Sequence, residues 1–220
     1  MGCTYMNLGT RLEGAVSLLS EAENKQTFAD IGSDHAFLAI EMVKRGIAQN
    51  AIAADINKMP LEKGKENANS QGIEIEFVLS DGFDGLENKG LTFAAVCGMG
   101  GELIAKMVLR SRITRQCLLV LQPMSAQEEL RKALWDNGFC IIKELFAVEG
   151  GKPYTLMQVK YDGVKREYDY IDLYLGKERK ETAEFLQYRE KIKAAAIKRR
   201  LGYIAENKDT CEIDKLIGIE

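Results

Sequence analysis

The chain is poor in the residues that build metal centres and disulfide scaffolds. It has one histidine, His35, and no grouping of cysteines and carboxylates completes a zinc-type ligand set around it. The five cysteines (Cys3, Cys97, Cys117, Cys140, Cys211) are odd in number and scattered, which excludes a disulfide framework and paired zinc ligands. A reducing cytoplasm fits this usage, and Cys97, Cys117 and Cys140 read as buried apolar strand residues. No apolar run is long enough to span a bilayer. Met1 to Thr10 lack a basic start followed by an apolar stretch, so no signal peptide is expected. Internal repeats and low-complexity tracts are missing as well. A net charge of −3 excludes a protein that is basic throughout.

What is present is ordinary globular material: 46% apolar and 29% charged residues in 220, enough for one large domain or a domain with an appendage. Asn7 to Ser20 has the spacing of an amphipathic helix, through Leu8, Leu12, Ala15 and Leu19. Strands are predicted at Thr27–Ile31, Ala51–Asp55, Ile75–Leu79, Phe93–Cys97 and Leu118–Leu121. Helices alternate with them: Ala36 to Arg45, stopped by Gly46; near Pro60 to Gly72; and Glu102 to Arg110. Ser125-Ala-Gln-Glu128 has the pattern of a capping box and predicts a helix from there to Asn137. Strands at Cys140–Val148 and Tyr154–Tyr161, with Gly150-Gly151 between them, predict a hairpin. The alternation implies a doubly wound α/β fold with a mostly parallel sheet. A terminal antiparallel hairpin is the ending of class I (Rossmann-like) methyltransferases.

Three successive strands end in aspartate, at Asp30, Asp55 and Asp81, where an α/β sheet presents its ligand crevice. After the first, Gly32 permits a tight turn in Asp30-Ile-Gly-Ser-Asp34. A dinucleotide site would need G-x-G-x-x-G for its pyrophosphate, but Asp34 stands where the second glycine is expected. A carboxylate there repels pyrophosphate and attracts an ammonium or sulfonium group. The pattern therefore favours S-adenosylmethionine over a dinucleotide. Asp55 suits the ribose hydroxyls, and Asp81-Gly82 the exocyclic amine of adenine. Asp34 is equally readable as the N-cap of the next helix. Gly98-Met-Gly-Gly101 ends the fourth strand as a bare floor, and Gln122 after the fifth could bond a flat base edge. The candidate cofactor residues are Asp30, Gly32, Ser33 and His35, then Asp55, Ile56 and Asn57, then Asp81 and Gly82, and lastly Gly98, Met99 and Gly100. Asp34 and Gln122 are the candidate catalytic pair, and no metal is expected.

Beyond Asp162 the composition changes: from Val164 onward there is no proline, and charge is dense. Phe185, Tyr188, Ile192 and Ala195 keep helical spacing, and Leu201 and Ile204 continue the stripe. This predicts an antiparallel helix pair, dividing the chain into residues 1–162 and 163–220. Between Arg189 and Arg200 six basic residues face only Glu190. Such a stretch reads either as a phosphate-contacting patch or as a solvated helix face.

Phe28-Ala-Asp-Ile-Gly-Ser-Asp-His-Ala-Phe37, Cys97-Gly-Met-Gly-Gly101, Leu121-Gln-Pro123 and Glu149-Gly-Gly-Lys-Pro-Tyr154 together resemble the bacterial TrmK family. The start, Leu8-Gly-Thr-Arg-Leu12, is similar too. The likeness covers residues 7 to 161 in detail and departs at Ala39, Met59 and Met124, where proline, glycine and asparagine are usual. It implies a tRNA (adenine(22)-N1)-methyltransferase that uses S-adenosylmethionine, with a C-terminal helical part that helps to engage tRNA. Arg11, Arg189, Lys193, Arg199 and Arg200 are then the candidate tRNA contacts. Another RNA, or a small molecule, is the alternative acceptor for the same fold.

Overall fold

The computed structural model describes residues 7–219; Cys3 and most of the Met1 to Thr10 stretch lie outside them. Helix α1 (Gly9–Leu19) precedes an alternation of β1 (Thr27–Ile31), α2 (Phe37–Lys44), β2 (Asn50–Asp55), α3 (Lys58–Gln71) and β3 (Glu76–Leu79). It continues with β4 (Phe93–Gly100), α4 (Gly101–Arg110), β5 (Leu118–Ser125) and α5 (Gln127–Asp136), and the hairpin β6 (Phe139–Glu149) and β7 (Lys152–Tyr161) completes the sheet. Strand order is β3-β2-β1-β4-β5-β7-β6. The first five strands run parallel, and β7 pairs antiparallel with both β5 and β6. The predicted doubly wound sheet with its terminal hairpin is the observed one.

Strand periodicity explains the two cores. Successive side chains point to opposite faces, and a sheet covered by helices on both sides is apolar on both. Phe28, Ala51, Ala53, Phe93 and Ala95 therefore pack towards α1, α2 and α3. Ala29, Ile31, Ile52, Ala54, Ala94 and Val96 pack on the other face, with Ile104 and Val108 of α4 and Leu130 and Leu134 of α5. α3 ends where expected, because Gly72 takes the left-handed conformation at φ +64° and closes the helix.

Three expectations change. β4 and β5 run on through Gly100 and Ser125, with irregular register at Cys97, Met99 and Gly100. The floor at Gly98–Gly100 is thus a bulged strand end, and Gly101 already begins α4. The capping box at Ser125 does not form. Ser125 pairs with Gly100 as a strand residue, and Ala126, at φ 51°, occupies the cap position with no side-chain bond. The chain is drawn in there because Gly101 lies so close to the Ala126 carbonyl that any Cβ would collide with it.

The C-terminal part holds three helices rather than two: α6 (Tyr170–Leu175), α7 (Ala183–Ala205) and α8 (Cys211–Ile217). A capping box does occur here, between Asp169 and Asp172 at the start of α6. Leu175, Phe185, Tyr188, Ile192, Ala196, Ile213 and Leu216 form a separate core, against which Phe146 of β6 packs. Ala196, not Ala195, faces inward, and Leu201 and Ile204 are exposed. The inward stripe of Phe185, Tyr188, Ile192 and Ala196 continues at Tyr203, which packs on the same core beside α8, so Leu201 and Ile204 fall outside it.

Candidate active site

The strand order sets Asp30, Asp55 and the segment leading to Asp81 at the carboxyl tips of β1, β2 and β3, which are immediate neighbours. β4 lies on the other side of β1, so the Gly98–Gly100 segment completes the same rim. A cleft of about 410 Å³ opens beside it, lined by Arg11, Asp30, Gly32, Asp34, Gly98, Met99 and Met124 among others. Asp55 and Asp81 stand along the rim and do not line this cleft.

Each tip is locally constrained. Gly32 and Ser33 donate their N–H groups to the Ala54 carbonyl at 2.8 and 3.0 Å, which folds the chain over the end of β2. Gly32 has φ +70°, the left-handed backbone that favours glycine, and the end of the Met99 side chain lies over it. His35 and Ala36 follow at φ 61° and 58°, two left-handed residues in succession. Such backbone persists where the surroundings over-determine it: Asn67 of α3 donates to the His35 carbonyl at 3.0 Å.

Asp30 is 6% exposed and accepts the Ser33 hydroxyl at 2.6 Å. Burial pushes its carboxyl up to about 6, against the Ser33 hydroxyl and the Ala39 N–H, which favour the anion. Burial, and then the charge of Asp30, push the neighbouring Cys97 thiol up to about 12. Cys97 is therefore a thiol at neutral pH, not a nucleophile.

Asp34 behaves differently. Its side chain is 77% exposed and meets the His35 ring nitrogen at 3.3 Å, and the ring stacks on Phe37. Ala36, not Asp34, occupies the cap of α2, and no side chain caps that helix. The N-cap alternative is thereby removed, and the carboxylate faces the cleft.

Asp55 accepts the Asn57 N–H at 2.7 Å through one oxygen. Ile56 is 63% exposed on the rim, and Asn57 takes the extended conformation that starts α3. Asp81 meets Arg110 of α4 at 3.2 Å, and Arg110 also reaches Asp84 at 2.9 Å. The buried Gly82 packs on Met107.

Gln122 does not offer its amide to a ligand. It is fully buried, and its Oε1 accepts from Arg11 Nη1 at 2.7 Å and from the Gly98 N–H at 3.1 Å. Its Nε2 donates to the Pro123 carbonyl at 3.0 Å and to the Met124 sulfur at 3.6 Å. Gln122 is an organiser of the cleft floor rather than a base-edge reader. Sequence reasoning missed the second partner of Arg11. Glu149 accepts the Arg11 N–H at 3.1 Å and lies 3.6 Å from the Arg11 guanidinium, so a carboxylate sits at the N-terminus of α1. Both Leu8–Leu12 and Glu149–Tyr154 carry notable motifs. The signal available was their co-occurrence in the chain, the bonded pair lying 138 positions apart.

The tail cations take partners within the protein. Arg189 lies 3.6 Å from Glu181 and 3.8 Å from Glu190, and Lys193 lies 4.0 Å from Glu190. Arg200 pairs with Asp214 of α8. Arg199 bonds the hydroxyls of Tyr170 and Tyr174, stacks on the Tyr174 ring and lies 3.7 Å from Glu128 of α5. Arg199 and Arg200 tie α7 to its neighbours, and the charge of the Arg189 to Arg200 stretch is in part offset within the protein. A further buried arginine escaped the sequence reading. Arg131 of α5 binds Glu144 at 2.8 Å and donates to the carbonyls of Leu173 and Tyr174 at the end of α6.

The donor set fits a nucleoside-bearing sulfonium compound. Carboxylates favour the cation and oppose pyrophosphate, glycine backbone at Gly32 and Gly98 leaves room for close approach, and Asp55 keeps one oxygen for a ribose hydroxyl.

Comparison with known proteins agrees. A model of the methyltransferase domain family matches residues 8–157. The tRNA (adenine(22)-N(1))-methyltransferase of Bacillus subtilis (strain 168) is 33% identical over 158 residues, 70% of this chain. The chain spans 66% of that relative's length. Streptococcus pneumoniae Sp1610, solved in complex with S-adenosyl-L-methionine, aligns with a TM-score of 0.79 at 26% identity, covering 94% of this chain and 98% of that one. The crystal structure of the B. subtilis m1A22 tRNA methyltransferase TrmK shares the fold, with a TM-score of 0.73 at 24% identity over 96% of this chain and 92% of that one. With its family model covering more than half the sequence, this chain belongs to the methyltransferase domain family, as a TrmK-like member.

Proposed function

We propose that this protein methylates N1 of an adenine, nucleotide 22, in tRNA, with S-adenosylmethionine as cofactor, and that it does so in the cytoplasm. The observation that carries the reading is the single rim of Asp30, Asp55, Asp81 and Gly98–Gly100 beside a cleft that the exposed Asp34 lines. Residues 1–162 then form the catalytic unit and residues 163–220 a helical unit that engages RNA.

S-adenosylmethionine supplies the electrophilic methyl group. Asp55 and the Ile56–Asn57 backbone would hold its ribose, and the Asp81–Gly82 tip its adenine. Gly32, Ser33 and the Gly98–Gly100 segment would hold the amino-acid end. Neutral adenine carries a lone pair on N1, so no base need remove a proton before attack. The chain's task is orientation and electrostatics. Methylation places positive charge on the base, and Asp34 is the exposed anion at the cleft to stabilise it. His35, 3.3 Å from Asp34, and Phe37 beneath it fix where that carboxylate sits. N1 is hidden in a paired base, so the nucleotide must be unpaired or flipped.

The test is mass spectrometry of tRNA nucleosides after incubation with purified protein and S-adenosylmethionine. A new N1-methyladenosine signal at one position is expected. Methyl transfer to another nucleoside, or to no tRNA at all, overturns the reading.

A further inference from the structure

A second, larger cleft adjoins the first. It measures about 810 Å³ and lies between the β6–β7 turn and α7, with Met124, Lys152, Pro153, Tyr154, Leu186 and Lys191 in its walls. Met124 lines both clefts. It is 42% exposed, and its sulfur receives the Gln122 amide at 3.6 Å, so the shared wall is anchored from beneath.

We infer that this cleft receives the acceptor nucleotide, its base stacked on Tyr154 beside Met124 and its phosphate held by Lys152 and Lys191. The inference rests on the methyltransferase reading above and adds to it where the substrate enters. Three observations carry it. The volume falls within the range of pockets that enclose a small organic ligand. Tyr154 is half-buried, so its ring is a fixed platform for any base. The two lysines differ from the tail cations already described. Lys191 donates to a neutral carbonyl, that of Pro153, at 3.2 Å, and lies 5.8 Å from the Tyr154 ring centroid. Burial, and then the charge of the exposed Lys152, hold the Lys191 pKa below its ordinary value. Two like charges in the walls of one cleft favour an anion there. Glu190, also in the wall, is offset by Arg189 and Lys193.

Steady-state kinetics with a tRNA transcript test this, with S-adenosylhomocysteine affinity measured in parallel by calorimetry. Tyr154→Leu is expected to lower kcat/KM for tRNA by roughly tenfold or more, the loss of one stacked base. Tyr154→Phe, which keeps the ring, should restore it. The double variant Lys152→Gln/Lys191→Gln should flatten the dependence of log KM on log salt by roughly one to two. Lys89→Gln, on the opposite edge of the sheet, should change neither, and S-adenosylhomocysteine affinity should hold in every variant. If Tyr154→Leu fails to fold, the lysine pair decides the matter. Wild-type kcat/KM and salt slope in the folded variants overturn the nucleotide cleft and leave methyl transfer standing. A wild-type protein that binds S-adenosylhomocysteine yet methylates no tRNA overturns the underlying function instead.

Discussion

Arg11 Nη1 donates to Gln122 Oε1 over 2.7 Å, and the same oxygen accepts the N–H of Gly98. One buried amide therefore ties the first helix to the tips of β4 and β5. The cleft floor is set by this junction, since Arg11, Gly98 and Met124 all line the cleft and all depend on Gln122.

Gln122→Met keeps the volume and removes the acceptor. It leaves the Gly98 N–H without its partner, at a cost of about 1–3 kcal/mol. Chemical denaturation should show that loss, and calorimetry a weaker affinity for S-adenosylhomocysteine. Unchanged stability and affinity would remove the organising role.

Asp34→Asn tests charge at nearly constant shape. Because Asp34 is exposed and caps no helix, stability should stay within about 0.5 kcal/mol of wild type. Turnover should fall by about 100-fold, the usual cost of losing one preorganised electrostatic contact. Near-normal kcat with tRNA in the Asn variant would exclude Asp34 from the chemistry.

Asp30 should make stability depend on pH. Its folded value of about 6 lies above the ordinary 3.8, so the folded state binds the proton more tightly than the unfolded chain. The stabilisation is full below the ordinary value and is lost as pH rises through about 6. At neutral pH the buried anion costs about 3 kcal/mol. Asp30→Asn should therefore be more stable than wild type at neutral pH, with the advantage fading towards pH 3.8. Urea titrations of both proteins across that range measure it. A pH-independent difference would mean that burial does not govern this carboxyl.

The Arg131–Glu144 pair joins the sheet to the tail. Both side chains are buried, Thr155 also donates to Glu144 at 3.2 Å, and Arg131 reaches the end of α6. Burial opposes the guanidinium's charge, but Glu144 and Tyr188 more than offset this and hold its pKa above the ordinary value. Glu144→Leu leaves a buried cation and should cost about 3–5 kcal/mol. The double variant Arg131→Met/Glu144→Leu should recover part of that loss in thermal denaturation. A double variant no more stable than Glu144→Leu would show that the arginine's bonds to α6 outweigh the pair itself.

Much of this molecule was legible in advance. β1 spans Thr27–Ile31 as expected, because a short apolar run bounded by turn residues reads as a strand buried on both faces. The Gly150-Gly151 hairpin followed from turn chemistry in the same way. The Ser125 capping box failed because ladder pairing with Gly100 outcompeted a local side-chain bond. Gln122 misled for a related reason: a polar residue at a strand tip looks available until a helix from elsewhere in the chain covers it.

The division follows the range of the forces involved. Local periodicity, glycine positions and the aspartates at strand tips are properties of neighbouring residues, so the order of strands and helices and the acidic rim were written in the chain. Which polar group meets which is a matter of distant surfaces. Only the tertiary structure set Glu149 at the start of α1, buried Gln122, matched the cations of α7 with carboxylates and tyrosines, and brought Lys152 and Lys191 to the walls of one cleft.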